Sequence, residues 1–171
     1  MKKKTALLCI VLLFPSIFAC GYHLLGRGQF PGGISTLSIS PPKNRTQQPE
    51  LSRVFASAIH KEINSRKELE VVASHKADAV LKGIIISFTT RSVAYDREGR
   101  ATEYRISMKL DLELIHREDG KMLWQGKNIE GHEEYQASTV VLVNERNKDR
   151  AIRKLAGDMA ETVYFRMKEG F

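Results

Sequence analysis

The chain has 171 residues, with 27 Lys and Arg against 20 Asp and Glu, giving a formal charge of +7. That is one domain's worth of length, and two cysteines, one of them in the leader described next, exclude a fold stapled by a disulfide framework. The basic balance suits a phosphorylated lipid or nucleic acid as partner, and equally a merely solvated surface.

Lys2, Lys3 and Lys4 open the chain, an apolar run follows from Ala6 to Phe14, and the small residue Ala19 closes it. This is the order of a secretory signal peptide, and the run is too short to span a bilayer comfortably. Ile17-Phe18-Ala19-Cys20 resembles a bacterial lipobox, with a branched apolar residue three places before the cysteine and a small one directly before it; Phe18 is bulkier than the usual residue. Cys20 is therefore expected to become an acylated N-terminus once residues 1–19 are removed, ordinary cleavage with a free thiol being the alternative. Several acyl chains, each contributing about 0.8 kcal/mol per buried methylene, anchor a protein far more firmly than one. Gly21 rather than Asp follows the cysteine, which by resemblance to Gram-negative lipoproteins directs the protein to the outer membrane. Cleavage removes three lysines and no acid, so the 152 residues left carry +4. With Cys9 gone and Cys20 acylated, no thiol pair remains, and stability must come from a packed core.

Residues 20–33 read as a tether, because Gly26, Gly28, Pro31, Gly32 and Gly33 break regular structure. No strand precedes these glycines and Pro31 interrupts the place where a phosphate-cradling helix should open, so they are not a dinucleotide loop. Residues 34–171 are expected to form one domain. Leu37 and Ile39 alternate with polar residues in a first strand that Pro41-Pro42 stops. Leu51, Val54, Phe55, Ala58, Ile59 and Ile63 recur at helical spacing and make one apolar face. Leu69 to Val72 is a short strand, so strand, helix and strand permit a parallel pair bridged by the helix. Asp78 to Phe88 opens a long strand that is apolar on both faces around Ile84 to Ile86, which should be central in the sheet.

The clearest period is Tyr104, Ile106, Met108, Leu110, Leu112 and Leu114, separated by Arg105, Ser107, Lys109, Asp111 and Glu113. It predicts a strand with one buried face; from Ala101 to Ile115 it would run roughly 50 Å at about 3.3 Å per residue, so part of it should project beyond the sheet. The turn Asp96 to Arg100 pairs it with the strand through Tyr95, and the outer end of this hairpin carries Arg91, Arg97, Arg100 and Arg105. Glu118-Asp119-Gly120 turns into a further strand at Met122 to Gln125. After Tyr135 the pattern loosens, with a short apolar segment at Val140 to Val143. A second helix is predicted from about Asp149 to Met167, with Ile152, Leu155, Ala156, Met159 and Val163 inward and Asn147 as its cap. The fold class that results is α+β: a two-layer sandwich of two amphipathic helices on one face of a mixed, largely antiparallel sheet of about four or five strands, with a long projecting hairpin.

Catalytic chemistry is not assembled. His23, His60, His75, His116 and His132 are scattered, none at zinc-ligand spacing from a Cys or another His. There is no G-x-S-x-G elbow, and pairs such as Glu133-Glu134 lie where solvated carboxylates are ordinary. The chain reads as a non-enzyme without metal or cofactor.

Cys20-Gly21-Tyr22-His23-Leu24 at the mature start, together with Arg97, Gly99, Glu103 and Tyr104 around a basic hairpin, resembles the lipopolysaccharide-assembly lipoprotein LptE family, and the order of elements agrees over nearly all of the mature chain. The resemblance implies a plug in the lumen of the outer-membrane barrel LptD, which helps place lipopolysaccharide in the outer leaflet and binds lipopolysaccharide, with no nucleic acid as partner. It implies a domain held through acylated Cys20 on the periplasmic side of the outer membrane and within the barrel. Arg97 matches a basic position at the family's hairpin tip linked to lipopolysaccharide binding, and a guanidinium can engage a phosphate bidentately. Arg91, Arg100 and Arg105 join it on charge alone, with simple solvation or pairing to the barrel wall as the competing reading. A second basic position of the family falls near Asn144, which is not basic; Arg146 and Lys148 are its basic neighbours. The alternative function is a lipoprotein that scaffolds another outer-membrane complex without binding lipopolysaccharide.

Overall fold

The structure is a computed structural model and describes residues 30–170, so the leader, Cys20 and residues 21–29 of the tether lie outside it. The elements in order are β1 (Thr36–Ile39), β2 (Lys43–Asn44), α1 (Leu51–Arg66), β3 (Glu70–Val71), β4 (Ala79–Tyr95), β5 (Ala101–His116), β6 (Met122–Gln136) and α2 (Val141–Glu169). They form a six-stranded mixed sheet in the order β3-β1-β4-β5-β6, with β2 also on β4, under two helices. The expected α+β architecture is therefore present, with the two-residue strand β2 raising the count above five.

β5 carries the fold. Ile106, Met108, Leu110, Leu112 and Leu114 are at most 2% exposed and belong to one core cluster with Phe55, Ile59 and Ile63 of α1 and Leu155, Met159 and Val163 of α2. The alternate residues Arg105, Ser107, Lys109, Asp111 and Glu113 face away from the helices. Every predicted inward residue of α2 is buried, while Val54 and Ala58 of α1 are partly buried at the edge of the core. β1 pairs in parallel with β3, Thr36 opposite Glu70, so α1 bridges a parallel pair as expected.

Three expectations change. β4 is central in the strand order, but Ile86 is 38% exposed at a bulge between Ile85 and Ser87, because no second layer covers that face. The second helix begins at Val141, eight residues before Asp149. Its first turns were invisible to an inward-stripe argument because Val141 and Leu142 point to solvent, 76% and 68% exposed. Asn147 is consequently inside the helix and caps nothing; its amide donates to the Gln136 carbonyl at 2.9 Å.

The projection is also broader than a hairpin. β1 and β2 pair with β4 only as far as Leu81 and Ile85, whereas β6 follows β5 out to the Glu103–Gln136 pair. The outer half of β4 and β5 is thus a three-stranded arm. At its other end, Phe30 is 5% exposed, with its ring 5.5 Å from that of Tyr164 near the end of α2, so the packed region takes in a residue of the expected tether. Gly83 lets β4 and β5 approach closely at the base of the arm, since a Cβ there would meet the Asp111 carbonyl oxygen at 2.6 Å.

Asp78 closes the base. Its carboxylate accepts the Ser35 and Thr36 backbone N–H groups at 3.0 and 2.8 Å, and its own N–H donates to the Thr36 hydroxyl at 2.8 Å. Those bonds, the Ser35 backbone one foremost, hold its carboxyl below the ordinary carboxylate value of 3.8. A carboxyl depressed in the folded state stabilises fully above its unfolded value and loses that contribution as pH falls through the folded one. Asp78→Asn should therefore lower unfolding stability by about 1–2 kcal/mol at pH 7, and the gap from the unchanged protein should narrow and close as pH falls below 3.8 and through the lower folded-state value. Urea denaturation over this pH range measures it, and a gap independent of pH would contradict the assignment.

Candidate functional site

The tip of the arm is a turn stapled by Asp96. Its carboxylate accepts the backbone N–H of Glu98 at 3.0 Å and of Arg100 at 2.8 Å, and the Arg100 Nε donates to its second oxygen at 2.8 Å. Gly99 supplies the positive φ of 77° that the turn requires. The Arg100 backbone bond, followed by its guanidinium, holds the Asp96 carboxyl below the usual range. Arg100 also reaches Glu98 at 3.2 Å, so its charge is spent within the turn. Arg97 is exposed and makes no hydrogen bond or ion pair among the described residues.

The other two arginines lie lower, on the helix-free face. Arg91 stands opposite Arg105 in register, and Arg105 opposite Glu134 on β6, forming a row across three strands. Arg105 donates to Glu134 through Nε at 2.8 Å and Nη2 at 2.5 Å. Like charges set directly opposite repel; Glu134 neutralises one of them, and Arg91 remains without a partner among the described residues. The four arginines do not converge. Two are at the tip and two on the face, roughly 15–20 Å apart along the strand, and only Arg97 and Arg91 are available to an external anion.

A groove of about 580 Å³ runs beside the tip, with Asp96, Arg100 and Tyr104 on one side and Ser138, Thr139 and Asn144 on the other. Its floor is stiff, because the Tyr104 ring stacks on that of Tyr135 at 5.5 Å. Asn144 accepts the Ser138 N–H at 3.2 Å, holding the approach to α2 against the arm. Asn144 thus lies across a groove from the hairpin tip, while Arg146 and Lys148 follow on the helix without ion pairs among the described residues. The sequence reading missed Glu134 as the partner of Arg105; the alternation Glu130, His132, Glu134 opposite Lys109 and Arg105 was the available signal. Among the described residues no group of three or more His, Cys, Asp or Glu could hold a metal, and no helix is long and apolar enough to cross a membrane.

A family model described as LptE, lipopolysaccharide-assembly, matches residues 34–167. The chain belongs to the LptE family. Solved structures share the fold. Rare lipoprotein B from Shewanella oneidensis is 17% identical with a TM-score of 0.54, over 79% of this chain and 95% of that one. The hypothetical protein CT253 from Chlamydia trachomatis is 12% identical with a TM-score of 0.55, over 80% and 96%. Uncharacterized lipoprotein B from Nitrosomonas europaea is 13% identical with a TM-score of 0.53, over 84% and 87%. No curated protein matches the chain by sequence. In this LptE-family chain the match covers the whole arm and nearly all of both helices.

Because Asp96 accepts two backbone N–H groups, Asp96→Ala should speed amide exchange at Glu98 and Arg100 by at least about tenfold while leaving Ile106 and Leu110 protected. Hydrogen exchange read by NMR checks this; unchanged exchange at the tip would show that the turn holds without the staple.

Proposed function

We propose that the chain is a lipopolysaccharide-assembly lipoprotein, exported by residues 1–19, acylated at Cys20, tethered by residues 20–33 to the outer membrane, and carrying its working domain in residues 34–171. That domain plugs an LptD-like barrel and binds lipopolysaccharide through the arm, without covalent chemistry and without nucleic acid. The observation that carries this reading is Arg97, unpaired among the described residues and displayed by a turn whose other arginine is already neutralised. A guanidinium without an internal partner is ready for a phosphate and gives up no existing ion pair on binding it.

The helix-free face supports the plug. Its charges are largely paired across strands, Arg105 with Glu134 and Lys109 with Glu130, and beyond Ile86 it presents the polar side chains of Ser87, Thr89, Ser107 and His132. Such a face suits a water-lined lumen better than lipid. The geometry also gives the domain a direction. Phe30 enters the core at the end opposite the tip, and the ten residues back to Cys20 reach at most about 35 Å. The seventeen residues of β4 extend about 55 Å the other way, enough to carry the tip across a hydrocarbon core of about 30 Å. An anchor in the inner leaflet therefore permits a tip near the outer one, where Arg97, with Arg91 below it, meets the lipopolysaccharide phosphates. Arg100 and Arg105, paired internally, contribute little to that contact.

Arg97→Asp should weaken binding of lipopolysaccharide to the purified lipoprotein by about tenfold or more, the usual consequence of removing a charge-assisted contact. Its thermal unfolding should be unchanged, since the side chain makes no hydrogen bond or ion pair among the described residues. Arg100→Asp, by contrast, should act mainly through the turn. Unchanged binding by the Arg97 variant would move the lipopolysaccharide contact elsewhere.

A further inference from the structure

The four most exposed large hydrophobic side chains among the described residues are Val141 at 76%, Leu142 at 68%, Tyr95 at 63% and Val140 at 58%. All four stand at the arm end of the molecule. Tyr95 directly precedes the Asp96 turn, and Val140 to Leu142 form the entry and first turn of α2, joined to the arm where the Ala137 N–H donates to the Thr102 carbonyl at 2.9 Å. The next most exposed, Met122 at 48%, is at the other end of β6. Helix formation does not require this apolar turn to be bare: no core residue covers it, and polar residues would serve the helix as well.

We infer that the first turn of α2 is an acyl-chain subsite for the same glycolipid whose phosphate is taken by Arg97. The inference rests on the lipopolysaccharide-binding reading above and adds to it the hydrophobic half of the ligand. The charge pattern beside the turn selects this occupant. Thr139 and Asn144, which flank the apolar turn in sequence, line the groove across from Arg100, already neutralised, and Arg97, three residues earlier in the same turn, has no partner among the described residues. A complementary ligand is therefore apolar at one end and anionic at the other, with hydroxyls for Ser138, Thr139 and Asn144 between. Fatty acyl chains beside a phosphorylated sugar have that form. The apolar turn shields part of the chains from water while the guanidinium keeps the headgroup at the tip.

The test is photo-crosslinking in lipopolysaccharide-producing cells, with benzoylphenylalanine at Val141 or Leu142 of the full chain, at Glu98 beside Arg97, and at Met122 as the distant control. These positions are exposed, so the fold is not disturbed. The expected result is a lipopolysaccharide adduct at 141 and 142, placed on an acyl chain by mass spectrometry, and none at 122. Val141→Asp with Leu142→Asp should then weaken binding of intact lipopolysaccharide about tenfold or more and leave a deacylated, phosphorylated oligosaccharide bound as before. Adducts at 141 and 142 with protein only, or with sugar only, while 98 captures lipopolysaccharide, would overturn the acyl subsite and leave the binding reading standing. No lipopolysaccharide adduct at 98, 141 or 142 would remove the binding reading itself and this inference with it.

Discussion

Everything in the domain depends on the strict alternation along β5. Its inner residues from Ile106 to Leu114 are nearly solvent-free, and at roughly 25 cal/mol per Å² of apolar surface removed from water they are a large share of what holds the helices to the sheet. Because the side-chain period of a strand is two, the same alternation forces Arg105, Lys109, Asp111 and Glu113 to the opposite face. A register slip of one residue would exchange the two sets. Pairing on both edges, with β4 and with β6, makes that slip costly, and Gly83 tightens the contact at the base.

The constraint also explains the arm. Past Ile85 the sheet loses β1 and β2, and β4 turns polar on its inner side at Thr90 and Ser92, so hydrophobic burial fades beyond the Thr90–Ile106 pair. What remains is backbone pairing across three strands, the Tyr104–Tyr135 stack, and the Asp96 staple at the end. These suffice to hold a tip in place without a core beneath it. They also leave its surface free: Arg97 and Arg91, without partners among the described residues, and an apolar helical turn stand on the outer half of the molecule.

Much of this was legible in the sequence, for reasons that separate cleanly. The β5 period, the α1 stripe and the inward residues of α2 announce themselves because burial writes a repeating pattern. The first turns of α2 do not, since Val141 and Leu142 are apolar yet exposed, and an argument from inward stripes has nothing to register. The two-residue strand β2 is too short for a period to show, whereas β3, equally short, was marked by the apolar run at Leu69 to Val72. At the site, charge alone grouped Arg91, Arg97, Arg100 and Arg105. The distinction between spent and available charge came from contacts that composition cannot supply: a carboxylate four residues before Arg100, and one 29 residues after Arg105 brought opposite by strand register.

The central claim is that the open face of the sheet meets the wall of an outer-membrane barrel. The most direct measurement places a photo-crosslinker at Thr89, on that face beside Arg91, in the full-length lipoprotein, followed by mild-detergent pull-down and mass spectrometry. The account predicts an adduct with an LptD-like barrel recovered in about equal amount. Recovery of the folded, acylated protein with a different partner, or with none at Thr89, would contradict the plug and leave a scaffolding lipoprotein in its place.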